Sequence, residues 1–151
     1  MDARELSANA ALLQELYSAG ALVGMLVTEE LRAAGVSPQP FSFLGWIALL
    51  QPVTPGALAA ETGMPATTIR DYVRRLTDRG DVRKVRNPAD GRSYHLVLSA
   101  KGQRLMDRGW PAVKTAFARL APHLEGDAGL YVERVRELRT ALKLALAEQP
   151  G

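Results

Sequence analysis

Thr67, Thr68, Arg70, Arg74 and Arg75, followed by Arg79, Arg83, Lys84, Arg86 and Arg92, crowd hydroxyl and cationic donors into one short stretch. A guanidinium can pair with a phosphate or bond guanine O6 and N7 in a bidentate fork, and a threonine hydroxyl can serve either. Residues 70–92 hold eight basic side chains and four acidic ones, Asp71, Asp78, Asp81 and Asp90, a net of +4 where the whole chain carries +3. The remainder therefore sums to −1, and the positive field is local, as on a surface that meets a polyanion. A charge run ordinarily marks a solvated face. That reading is disfavoured here because the charges fall on a helix and hairpin built for contact.

The elements that must position these groups are legible in order. Thr54 is an N-cap hydroxyl and Pro55 suits the first helical position, so a helix starts there and runs through Leu58 to a stop at Gly63. Pro65 opens a second helix, with Ile69, Tyr72, Val73 and Leu76 at spacings of three and four and the basic residues largely on other faces. Gly80 closes it. Val82–Arg86 and Ser93–Leu98 then read as two strands around the turn-forming Asn87–Gly91.

This arrangement is a winged helix-turn-helix, and it resembles the DNA-binding lobe of the multiple-antibiotic-resistance regulator (MarR) family. The residues carrying the resemblance are Leu58-Ala59, Gly63, Thr67-Thr68-Ile69, Arg75-Leu76, Gly80, Val82, Asp90-Gly91-Arg92-Ser93 and Leu98-Ser99-Ala100-Lys101-Gly102. No tripeptide among them is specific; their order and spacing over about a third of the chain is. The expected fold is mainly α (α+β): a lobe at 41–102 with a two-stranded wing, flanked by dimerisation helices at 1–36 and 103–148, in one subunit spanning 1–151. Two positions depart from the family pattern. Asp81 stands where an apolar or aromatic residue is usual, which predicts looser packing behind the wing, and Gly91 replaces a residue that is often basic.

By its position the second helix is the one that enters the major groove, with Ala66, Thr67, Thr68, Arg70, Asp71 and Arg74 toward the DNA and Arg70 first for base readout. Asp71 could accept from a cytosine amino group or pair within the protein, and pairing is favoured. The resemblance implies that Arg92 enters the minor groove and that Asp90 fixes the hairpin and the arginine's approach; the plain alternative is an ion pair at a hairpin tip. Arg83, Lys84 and Arg86 suit phosphate contacts or solvent.

With 151 residues, 47% of them hydrophobic, the chain can bury one core. The absence of cysteine excludes a disulfide scaffold, cysteine-ligated zinc and the cysteine-based peroxide sensing of some members of this family. The N-terminus lacks a basic segment leading into an apolar run, and Ala19–Val27 is shorter than a bilayer span, so a soluble, cytoplasmic protein with no membrane partner is expected.

Leu6, Leu13, Tyr17, Gly24 and Leu31 mark a long first helix ending near Gly35. Pro38 and Pro40 then break the chain before a helix over 41–50. Ser99 caps a long helix with a kink at Gly109-Trp110-Pro111, and Tyr131, Val135, Leu138 and Leu142 form the seam of a last helix. The seam suits burial within one subunit or against a second. Because the family dimerises through its first and last helices, the resemblance implies a homodimer contact through Leu6, Leu13, Leu138, Leu142 and Leu146, and a roughly palindromic double-stranded site.

Many members bind small aromatic or lipophilic acids between the dimerisation helices and the lobe. Tyr17, Phe41, Trp46 and Trp110 are the aromatic residues near that expected cleft; each also reads as core. His95 and His123 form no helix-borne metal pair, and no phosphate loop or nucleophile elbow is visible, so neither an enzyme nor a cofactor or metal site is expected. The expected function is a sequence-specific transcriptional regulator, most simply a repressor released by a ligand. The alternative is a winged-helix adaptor that uses its basic face on an acidic protein partner.

Overall fold

The computed structural model describes residues 3–148, with side chains from residue 10 onward. Helix α1 (Ala3–Ala33) leads through the left-handed Gly35 to α2 (Pro38–Leu50), α3 (Pro55–Thr62) and α4 (Ala66–Asp78). Strands β1 (Val82–Arg86) and β2 (Tyr94–Leu98) follow, then α5 (Ala100–Leu120), a 3-10 turn at Ala121–His123, and α6 (Ala128–Ala147).

The core gathers around α2, whose Phe41, Phe43, Leu44 and Ile47 are all buried, with Leu58, Ile69, Val73, Leu76, Val82, Leu96 and Met106 closing over them. This helix begins at Pro38, not after Pro40 as expected. Both prolines sit in its first turn, where the missing N–H groups have no intrahelical acceptor to lose.

β1 and β2 pair antiparallel from Val82 opposite Leu98 to Arg86 opposite Tyr94. Val53 adds a bridge to Leu96 on the far side of β2, with N···O distances of 3.3 and 2.8 Å, and the side chain of Gln51 accepts from the Leu98 N–H at 2.8 Å. The segment after α2 thus anchors the wing to the core.

The Ser99 hydroxyl caps α5 by accepting from the N–H groups of Lys101 and Gly102. The helix runs without interruption through Pro111, where a kink is expected from sequence. A Cβ on Gly109 would lie 2.0 Å from the Phe41 ring, so α5 presses directly on that ring.

The apolar run of α1 is longer than the sequence reading allows. Helix residues Ala10–Ala33 are, by length and composition, long and apolar enough to cross a membrane. Their exposed face includes Leu12, Leu13, Leu22 and Val23, and α6 exposes Val132, Val135, Leu142 and Leu146. A compact monomer of this mass has about 7,500 Å² of accessible surface. This chain has 10649 Å².

Candidate nucleic-acid interface

Sequence sets the approach to the interface locally. The Thr54 hydroxyl accepts from the Ala57 N–H at 3.1 Å to start α3, and Gly63, at φ 72°, ends it with its N–H on the Ala59 carbonyl. The Thr62 hydroxyl donates to the Leu58 carbonyl and accepts from the Met64 N–H, so the turn is pinned from both sides. Pro65 then precedes α4 without a side-chain cap, leaving the first amides of α4 and the positive end of its dipole available to an anion.

α4 buries Ile69, Val73 and Leu76. Its outer face carries Ala66, Thr67, Arg70 and Arg74 exposed, with Thr68 and Asp71 half-buried. Two guanidiniums are engaged within the protein: Arg74 pairs with Asp71 at 3.0 Å, and Arg75 lies 5.1 Å from the centre of the Tyr72 ring, which itself stacks on Phe43 at 4.5 Å. Asp71 therefore takes the favoured intraprotein role. Among the described residues Arg70 has no ion pair, so its guanidinium projects from the helix uncommitted.

In the wing, the Asn87 amide donates to the Ser93 hydroxyl at 2.6 Å while its carbonyl accepts from the Ala89 N–H. The Asp90 carboxylate accepts from the backbone N–H of Arg92 at 2.9 Å, and the Asp90 carbonyl accepts from the Ser93 N–H at 3.1 Å. Asp90 thus orders the backbone that presents Arg92. No ion pair joins the two side chains among the described residues, so the plain ion-pair reading is absent. Lys84 sits 4.7 Å over the Tyr94 ring; Arg83 and Arg86 are exposed.

Asp81 overturns the expectation of loose packing. Its side chain is buried, Oδ2 accepts from Arg79 Nε at 2.8 Å, and Lys101 Nζ stands 3.6 Å from Oδ1. Its backbone N–H donates to the Leu76 carbonyl and its carbonyl accepts from the Ser99 N–H. A Cβ on Gly102 would lie 2.1 Å from that carbonyl oxygen. The carboxylate replaces apolar packing with an ionic knot joining the end of α4, the start of β1 and the start of α5. Lys101 also donates to the Arg79 carbonyl.

The aromatic residues do not converge. Phe41 is buried with its ring 5.9 Å from Trp110, edge to face; Trp46 is half-buried; and Tyr17 is 84% exposed on α1. None of the four lines the cavity of about 380 Å³ between α2, α3 and β2, whose walls are Leu50, Pro52, Val53, Thr54, Ala57, Glu61 and His95. Of the residues expected at a dimer contact, Leu13, Leu142 and Leu146 are exposed and Leu138 is half-buried; the side chain of Leu6 lies outside the described residues.

Residues 34–93 match the model of the MarR family. No curated protein matches the chain. Among solved structures it is similar to CouR from Rhodococcus jostii RHA1 bound to p-coumaroyl-CoA, with 25% identity, a TM-score of 0.65, and 85% of this chain and 88% of that one covered. A mutant MarR from E. coli complexed with operator DNA shares 20% identity at a TM-score of 0.71, covering 84% and 91%. A putative MarR family transcriptional regulator from Listeria monocytogenes complexed with DNA reaches a TM-score of 0.73 at 16% identity, covering 87% and 88%.

Proposed function

We propose that this chain, whose residues 34–93 match the MarR family model, is a member of that family: a dimeric, sequence-specific regulator of transcription that works in the cytoplasm. The observation that carries the reading is the uncommitted Arg70 on the outer face of α4, beside a wing whose Arg92 is held forward by Asp90. α4 fits a major groove with Thr67, Thr68 and Arg70 at base edges and Arg74 at phosphate or base. Arg92 fits a narrow minor groove, whose negative potential favours a weakly hydrated guanidinium.

The second copy follows from surface area. The chain exposes about 3,000 Å² more than a compact monomer of its mass, much of it as leucine and valine on α1 and α6. Two copies joined through these helices bury that face and place two α4 helices on a roughly palindromic duplex. The regulator is a repressor, released when an aromatic or lipophilic acid binds between the flanking helices and the lobe. The neighbour bound to p-coumaroyl-CoA, an aromatic acyl thioester, supports an aromatic ligand. Release requires the ligand to prefer one spacing of the lobes.

Binding of random duplex across a salt series is the test. Log affinity falls linearly with log salt, by about 0.9 for each phosphate neutralised, and a sequence preference survives the loss. A purely electrostatic response with no preference among sequences favours the protein-adaptor reading. Aromatic acids titrated into the complex without change in affinity count against ligand release.

A further inference from the structure

Helix α6 buries none of its residues, yet it is tied to the helix-turn-helix at one point. Glu61, in the last turn of α3, pairs through Oε1 with Arg139 at 3.0 Å and through Oε2 with Lys143 at 2.9 Å. Arg139 and Lys143 are four residues apart and so share one face of α6. Among the described residues, both ion pairs between α6 and the rest of the subunit end on this one carboxylate; the Arg134–Glu137 pair lies within α6 itself.

We propose that Glu61 is a positioning residue whose fork to Arg139 and Lys143 couples α6 to the reading head and so sets the separation of the two α4 helices in the dimer. The inference rests on the dimeric reading above. Glu61 adjoins Thr62, and Thr62 and Gly63 fix the turn into α4, so displacement of Glu61 is carried into the recognition helix. The cavity beside Glu61 leaves the carboxylate free of close packing, and the two cations are what hold it. They keep its carboxyl below the ordinary glutamate range, chiefly through the Lys143 hydrogen bond and then the Arg139 charge, against the opposing effect of burial. At the opposite end, Arg119 joins α5 to Glu29 and Glu30 of α1. Of the ion pairs that the terminal helices make with other elements among the described residues, only the Glu61 fork reaches the helix-turn-helix.

A single exposed ion pair contributes little. Two on one carboxylate fix its direction, which matters for position more than for stability.

The chain has no cysteine, so one introduced thiol labels one site. Asp78→Cys, exposed at the end of α4, places a spin label near each recognition helix of the intact dimer. Pulsed dipolar spectroscopy without DNA then reads the separation of the two α4 helices. The expected result is one narrow distance distribution, shifted and broadened by Glu61→Gln with thermal unfolding nearly unchanged. The charge swap Glu61→Lys with Arg139→Glu and Lys143→Glu restores it. An identical distribution with and without Glu61→Gln overturns the inference while leaving the dimeric reading intact. Absence of any coupling between labels in the parent protein overturns the dimeric reading and the inference with it.

Discussion

The buried carboxylate of Asp81 accepts from Arg79 at 2.8 Å, so the end of α4 is tied to the first residue leading into the wing. Arg79 and Lys101 are half-exposed and hydrated, whereas Asp81 is sealed from water. Removing both cations leaves a buried charge without partners, a loss of about 3 kcal/mol or more. Arg79→Met with Lys101→Met is therefore expected to lower stability by that order in urea unfolding at fixed protein concentration. Asp81→Leu added to that background recovers most of the loss, since it removes the unpaired charge.

Two glycines mark places where backbone or ring lies against α5. Gly102→Ala drives a methyl into the Asp81 carbonyl, which cannot move without disturbing β1, and is expected to cost about 2 kcal/mol or more. Gly109→Ala meets the Phe41 ring, a side chain that can shift, so its cost is smaller. Thermal unfolding of the two variants ranks them in that order; equal and negligible effects contradict the packing.

The reading roles separate by variant. On the proposed reading, Arg70→Ala is expected to relax sequence preference and weaken binding to the preferred site by about 1–3 kcal/mol. Arg92→Ala lowers affinity with less change in the major-groove code. Arg75→Ala is the contrast: its guanidinium is already stacked on Tyr72, so DNA affinity changes less than in Arg70→Ala. Fluorescence anisotropy at matched salt gives all three.

Acid should release the Glu61 fork in a defined direction. A carboxyl depressed in the folded state contributes fully above its unfolded value, about 4.3, and loses that contribution as pH falls through the folded value. The separation of the α4 helices is therefore constant from neutral pH down to about 5 and changes only below the ordinary glutamate range. His95 lines the same cavity, so His95→Gln is the control for it. A change that His95→Gln abolishes assigns the response to the imidazole instead.

The apolar faces of α1 and α6 make a prediction about assembly. Leu13→Glu or Leu142→Glu places a charge on these exposed faces, where the proposed dimer joins, and sedimentation is expected to show monomer or strongly concentration-dependent association. An unchanged dimer with both variants places the contact elsewhere.

Local chemistry was legible in the sequence and distant contact was not. The caps at Thr54 and Ser99 and the stop at Gly63 are each decided by a few neighbouring residues, and the structure places them where the sequence does. The wing differs only in starting β2 at Tyr94, because Ser93 is held in the turn by Asp90. Pro38 and Pro40 mislead because a proline that ends one helix is equally suited to begin another. Asp81 looked like a flaw because its partners come from opposite ends of the wing, and Lys101 reaches it only once α5 has docked. The Glu61 fork spans 82 residues, beyond any local pattern. The aromatic residues share a region of the sequence reading but no common cavity, since Phe41 is spent on the core beneath Trp110.

Selection of bound duplexes from a random library tests the central claim most directly. The account predicts an enriched inverted repeat with half-sites about one helical turn apart, blurred within each half-site by Arg70→Ala. A library that returns no enriched sequence, at salt low enough for binding to be measured, contradicts it.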